Sequence, residues 1–134
     1  MRMHWKSRPG REYLTIEVSG VFDYHQVVDH IPEMLDACAE HQAAKVLVDA
    51  LGVSGTVTLA ERFLYADTLA RLYKRRRVDG TLQHVQFAYV ADPPILDAHR
   101  FGEKVATSRG LHVKAVPTMD EAWEWLHVQP LKEK

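Results

Sequence analysis

The residues that could support nucleophilic or metal chemistry are scattered along this sequence and match no catalytic motif. Eight histidines and one cysteine are present, yet no H-E-x-x-H pair or paired-cysteine spacing brings metal ligands together. Ser54 lies in V-S-G-T, without the G-x-S-x-G turn that exposes a nucleophilic serine. Cys38 falls on an apolar helix face, where a structural role in the core is more common. These patterns predict a protein that is not an enzyme and that uses no metal or other cofactor.

A glycine-containing loop and a basic run are the features closest to anion-binding motifs. Gly52 and Gly55 lie between Leu51 and Val57, but no G-K-[ST] ending follows them and no G-x-G-x-x-G occurs. The run Lys74 to Arg77 closes a predicted helix, where cations complement the negative end of the helix dipole. Contact with phosphates or an acidic partner is the alternative for this run. With a formal net charge of -1, we predict no nucleic-acid partner.

Length and composition indicate one domain. With 134 residues, 46% of them hydrophobic, the chain can bury one core, and we predict a single domain over residues 1–134 with its core at about 12–127. The lone cysteine cannot form an internal disulfide, and Met1 to Arg11 contains no apolar run typical of a signal peptide, which favours the cytoplasm. No stretch approaches the roughly 20 apolar residues that span a bilayer, so no integral membrane segment is expected.

The elements that must position any site alternate between strands and helices. Tyr13 to Val18 shows the period-2 pattern of a half-buried strand. Lys45 to Asp49 is apolar on both faces, as in the central strand of a parallel sheet. Val85 to Val90 is a second buried strand, and the alternation from Leu111 to Val116 predicts an edge strand.

Four helices are expected to follow these strands. The first begins at Asp23 and is kinked or divided in two by Pro32. The second and the fourth begin at Thr58 and Thr118, each with the S/T-x-x-E form of a capping box. The third has an inner face of four residues, Ile95, Ala98, Phe101 and Val105. The order predicts an α/β fold with a mixed, mainly parallel sheet flanked by helices.

Four segments carry a resemblance to a known family. They are the strand end Val18-Ser19-Gly20, the pair Ile31-Pro32, the strand Val46 to Asp49 and the terminal helix Asp120 to Leu126. Together they resemble the STAS-like domains related to bacterial anti-sigma-factor antagonists, specifically the stand-alone SpoIIAA-like branch, over roughly residues 12–127. The resemblance implies a mixed sheet flanked by helices, an arrangement shared with the CRAL-TRIO lipid carriers. Because members of this branch mostly have no assigned activity, it implies a fold more readily than a process.

The antagonists carry a phosphorylatable serine, in an Asp-Ser-Ser-Gly-like motif, at the start of the helix after the central strand. In this sequence Thr58 stands near that position, and Thr56-Val57 do not supply the acidic and small neighbours of the motif. We therefore expect Thr58 to be a helix N-cap, with phosphorylation as the alternative role.

The leading hypothesis is a non-enzymatic regulatory module that binds a protein partner or a small ligand. In open α/β sheets such ligands lie beyond the carboxyl ends of the strands. The residues expected there, and proposed as ligand-binding residues, are Asp49, Ser54, Gly55, Thr58 and Asp92.

The alternative hypothesis is a small carrier of an apolar ligand or lipid, resembling CRAL-TRIO proteins. It requires a cavity between helix and sheet, expected to be lined by Phe63, Tyr65, Leu69 and Phe101. Against it stands the fact that aromatic residues at helical spacing usually belong to the core.

Trp125 points away from the face that Trp123 shares with Ala122 and Leu126. We expect it to cover the sheet edge or an interface, since tryptophan is enriched in interfaces. The sequence thus predicts a homodimer that buries Trp125 or the edge strand from Leu111 to Val116.

Overall fold

An N-terminal hairpin precedes the alternating strands and helices. The computed structural model describes residues 2–129. Within that range nine elements follow in chain order: β1 His4–Pro9, β2 Leu14–Val21, α1 Tyr24–Glu40, β3 Lys45–Ser54, α2 Leu59–Val78, β4 Gln86–Val90, α3 Phe101–Ser108, β5 His112–Val116 and α4 Met119–Leu126. No helix in this range is long and apolar enough to cross a membrane.

The five strands form one mixed sheet in the order β1-β2-β3-β4-β5. β1 pairs antiparallel with β2, and the remaining pairs are parallel. Val48 of β3 lies opposite Ile16 on one side and Tyr89 on the other, and Tyr89 lies opposite Ala115 of β5. The mixed, mainly parallel sheet with a central β3 and an edge strand β5 is therefore confirmed.

The two faces of the sheet are covered unequally. On one face, Val46, Val48 and Phe87 belong to a large core that includes the apolar sides of α1, α2 and α3. On the other face, Leu47 and Ala88 belong to a smaller core with α4. β3 and β4 are apolar on both faces because helices cover both sides of the sheet centre.

β1 has no counterpart among the strands predicted from the sequence, which begin at Tyr13. Four of its six residues lie at exposed positions after Trp5, so no apolar alternation marks this strand. β1 is held by its backbone ladder to β2, by an ion pair between Arg8 and Glu17, and by Trp5. The Trp5 ring stacks on His30 of α1 with 4.3 Å between ring centroids.

Three element boundaries differ from expectation. α1 is one continuous helix that contains Pro32, so the expectation that Pro32 divides it into two helices is wrong. β3 extends to Ser54, through residues expected to form a loop, because they continue the ladder to β2. α3 begins only at Phe101, since Arg100 before it has a left-handed backbone with φ 53° and Asp97 Oδ2 accepts the N–H of Phe101 at 2.7 Å.

Thr58 caps α2 as expected. Its Oγ1 accepts the N–H of Glu61 at 3.1 Å, and Glu61 Oε1 accepts the N–H of Thr58 at 2.9 Å. We predict that Thr58→Ala lowers the free energy of unfolding by about 0.5–2 kcal/mol, whereas Thr58→Ser retains most of it. Chemical denaturation measures both, with Thr56→Ala at a neighbouring exposed position as the control. Equal stability of Thr58→Ala and Thr56→Ala would show that the capping box contributes nothing.

Candidate ligand-binding site

The predicted ligand-binding residues lie around the ends of β3 and β4. Ser54 and Gly55 follow one another at the exposed end of β3, and Thr58 caps α2 three residues later. Asp49 lies within β3, opposite Val90 of β4. Asp92 follows that strand and is exposed.

Each of these groups makes a local contact. Asp49 Oδ1 accepts the N–H of Leu51 at 3.1 Å. The carbonyl oxygens of Ser54 and Asp92 accept backbone N–H groups from Phe22 and Leu96. Gly55 adopts φ 98°, which glycine tolerates best, and the Thr58 hydroxyl accepts the cap hydrogen bond. These contacts shape turns and helix ends, and a ligand role for the five residues stays a prediction.

A cavity of about 210 Å³ opens between the sheet and the three helices, on the face of the sheet that carries the larger core. Its walls come from every element of that face and are mainly aliphatic or aromatic. The sheet contributes Ile16, Val18, Val48, Tyr89, Val113 and Ala115, and the helices contribute Val27, Ile31, Met34, Tyr65, Ala66, Leu69 and Ala106.

The cavity lining corrects two residues of the carrier hypothesis. Tyr65 and Leu69 line the cavity as expected, but Phe63 and Phe101 do not. Phe63 lies two positions before Tyr65, on another side of the helix. Its side chain is 37% exposed, and the Arg109 guanidinium carbon lies 5.3 Å from its ring centroid. Phe101 packs half-buried against the core at the start of α3.

The segment between β4 and α3 closes one side of the cavity through Ile95, Leu96 and Asp97. Arg62 of α2 holds this segment in place: Nη1 donates to the Ile95 carbonyl oxygen at 2.7 Å, and Nη2 donates to the Pro94 carbonyl oxygen at 2.6 Å. Two hydrogen bonds from one planar guanidinium fix both the position and the orientation of this segment's backbone. The hydrogen bond from the Phe101 N–H lowers the pKa of the Asp97 carboxyl, which favours its charged form.

Replacing Arg62 should loosen this wall of the cavity. We expect Arg62→Gln to lower the free energy of unfolding by about 1–2 kcal/mol, since partly exposed charge-assisted hydrogen bonds are lost. Amide exchange should accelerate over residues 95–100 and stay unchanged in the core strands. Arg71→Gln is the control. The Arg71 side chain lies on the same helix, is 59% exposed, and makes only a long ion pair to Asp67, at 3.5 Å, so its loss should have little effect. Identical exchange in the two variants would contradict this role of Arg62.

Two side chains from α3 and the residue before it cover the free edge of β5. Glu103 Oε1 accepts the N–H of Ala115 at 2.8 Å, and Arg100 Nε donates to its carbonyl oxygen at 3.0 Å. Both backbone groups of this edge residue are therefore occupied, which limits pairing with another strand there. Trp125 lies near the same edge, with its ring 5.1 Å from that of His112. The expected homodimer stays a prediction.

The basic run at the end of α2 has structural contacts. Arg76 Nη1 donates to Asp36 Oδ1 of α1 at 2.5 Å, and Arg77 Nη1 donates to the Leu82 carbonyl oxygen at 3.4 Å. Arg76 thus links α1 and α2, two of the three helices that cover the cavity, in addition to its favourable position at a helix C-terminus.

A pair of tyrosines places two hydroxyl groups among the apolar walls. Tyr65 and Tyr89 lie with their hydroxyl oxygens 2.8 Å apart and their rings at 86°. Burial raises the pKa of Tyr65 to about 12 and that of Tyr89 well above its ordinary value. Both hydroxyls are therefore protonated and uncharged at neutral pH.

No family model matches this sequence, and no curated protein matches it. Among solved structures, the chain is similar to an anti-sigma factor antagonist from Mycobacterium paratuberculosis, at 16% identity and a TM-score of 0.61, covering 94% of this chain and 95% of that one. A protein of the DUF3478 family with a SpoIIAA-like fold from Shewanella loihica aligns at 15% identity and a TM-score of 0.48, covering 92% and 93%. The first similarity confirms the expected STAS-like fold.

Proposed function

We propose that this chain, which has the fold of an anti-sigma factor antagonist, is a non-catalytic regulatory domain that binds a small apolar molecule between its sheet and helices. The observation that carries the proposal is the cavity of about 210 Å³ with mainly apolar walls. Close packing is the rule in protein interiors, so an opening of this size in the larger core forgoes contacts that side chains would otherwise make. A ligand would restore those contacts.

The size of the cavity favours a small ligand. An apolar cavity of about 150 Å³ is sufficient to bind benzene in another protein, and pockets for drug-sized ligands begin at about 300 Å³. A volume of about 210 Å³ therefore suits one ring with a short substituent, or an aliphatic chain of similar size. This favours a sensor of a small molecule over a carrier of a long-chain lipid.

The start of α2 supports a regulatory role. Val57, Glu61 and Arg62 line the cavity, while Leu59 in the same turn is 64% exposed. Val21, 54% exposed, lies near Gly55, so exposed apolar side chains flank the loop before α2. Such a surface suits a protein partner, as the name of the antagonist neighbour suggests. In this proposal the ligand acts on the partner surface through the first turn of α2.

The proposal is tested by titrating the ¹³C,¹⁵N-labelled protein with ethylbenzene and recording amide and methyl chemical shifts. We expect saturable shifts, centred on cavity residues such as Leu69 and Val48, with a smaller response at Leu59. Shifts that rise linearly with concentration, or that are confined to exposed residues, would contradict the proposed site.

A further inference from the structure

The tyrosine pair differs from the other ionisable side chains that border the cavity. Six other ionisable side chains border the cavity, and each of them contacts another residue of the protein. His30 stacks on Trp5, Glu61 accepts the Thr58 N–H, Arg62 donates to the Pro94 and Ile95 carbonyls, Asp97 accepts the Phe101 N–H, and Arg100 and Glu103 hold the backbone of Ala115.

The two tyrosine hydroxyls hold one proton more than their mutual hydrogen bond uses. Tyr65 and Tyr89 each carry one O–H, and the bond between them, 2.8 Å long, consumes a single donor. Among residues 2–129 neither hydroxyl has another hydrogen-bond partner, so the second proton is left for a further acceptor, and both side chains line the cavity. A ligand oxygen would complete the hydrogen bonding of the pair.

We propose that the ligand is an uncharged, mainly apolar molecule with one carbonyl or hydroxyl oxygen, which accepts a hydrogen bond from the Tyr65–Tyr89 pair. This rests on the proposed function, and it adds the polar group that orients the ligand. Apolar sites commonly gain specificity from a few placed polar groups of this kind.

The same geometry disfavours an anionic ligand. A buried carboxylate needs a cationic or multiply hydrogen-bonded partner. The two arginines that border the cavity, Arg62 and Arg100, instead direct their guanidinium groups to backbone carbonyl oxygens. The raised pKa of both tyrosines keeps them as neutral donors, which suits a neutral acceptor.

The test compares acetophenone with ethylbenzene, two molecules of similar shape that differ in one carbonyl oxygen. The readout is the ratio of their dissociation constants in the parent and in the double variant Tyr65→Phe/Tyr89→Phe. The double variant is decisive because either hydroxyl left alone would still be a donor. We expect it to weaken acetophenone binding by about tenfold relative to ethylbenzene, as expected for one hydrogen bond in an apolar site. Tyr24→Phe, outside the cavity lining, should leave the ratio unchanged.

The outcomes separate this proposal from the proposed function. If ethylbenzene binds and the ratio is the same in the parent and the double variant, the tyrosine pair is not the polar anchor, while the apolar site stands. If neither probe binds the parent saturably, both proposals are overturned. Thermal unfolding verifies that the double variant is folded, which we expect because both partners of the hydrogen bond are removed together.

Discussion

Replacing Ala66 with phenylalanine is expected to abolish ethylbenzene binding while leaving the domain folded. Ala66 is 4% exposed and lines the cavity between Tyr65 and Leu69 of α2. A phenyl ring at this position would enter the volume that the ligand needs and would make the contacts that the parent lacks. We expect the affinity to fall on the order of a hundredfold or more. The free energy of unfolding should stay within about 1.5 kcal/mol of the parent, because space for the ring is already present.

Ala70→Phe is the matched control on the same helix. Ala70 is also 4% exposed, but it is not part of the cavity lining, so the added ring has to displace packed neighbours. Overpacking of this kind costs about 1–3 kcal/mol, while the folded fraction should bind ethylbenzene as the parent does. NMR titration and chemical denaturation of both variants provide the comparison. Undiminished binding by Ala66→Phe would place the ligand elsewhere.

The second large effect concerns Cys38, whose reactivity reports the packing of α1 on the sheet. Its side chain is fully buried, which agrees with the expected core role, and burial raises the pKa of its thiol from 9.0 to about 12. At pH 8 the raised pKa leaves a thiolate fraction on the order of a thousandfold smaller than in the unfolded chain. Since only the thiolate attacks, we expect a disulfide reagent to modify the native protein at least that much more slowly than the denatured protein.

Absorbance of the released thiol measures both rates at pH 8. Ala66→Phe is the control variant for the native rate, because its substitution lies in α2 and leaves the sequence of α1, which carries Cys38, unchanged. Similar rates in buffer and in denaturant would mean that α1 does not shield Cys38 in the native state. The sequence holds a single cysteine, so the signal has one source.

The central elements of the fold are predictable from the sequence because short-range signals mark them. Val46 to Val48 is apolar on both faces, and the structure places it in the central strand. Thr58 and Glu61 lie at capping-box spacing, and both hydrogen bonds of the box form. In each case the information resides within a few consecutive residues.

The remaining parts depend on contacts between distant residues. β1 has no apolar alternation, and its ladder to β2 is needed to identify it. The start of α3 is set by the backbone of Arg100 and by Asp97, although Ile95 has the spacing of a helical face. Tertiary contacts thus decide where these elements begin.

The cavity is the feature that sequence patterns are least able to predict. Periodicity indicates which side chains share a helix face. Of the α2 residues expected to line a cavity, Tyr65 and Leu69 do so and Phe63 does not. Periodicity does not reveal whether the side-chain volumes fill the space between three helices and a sheet. Small residues such as Ala66 and Ala115 line the cavity. Whether a small residue leaves space depends on the side chains that other elements pack against it.

Isotope-edited NOE spectroscopy of the ethylbenzene complex locates the bound molecule, because it identifies the protein protons that lie next to the ligand. We predict intermolecular NOEs from the ligand ring to the methyl groups of Val48 in β3 and of Ala66 and Leu69 in α2, all of which line the cavity. NOEs only to the exposed side chains Leu59 and Val78 would refute binding in the cavity, because they would place the molecule on the surface.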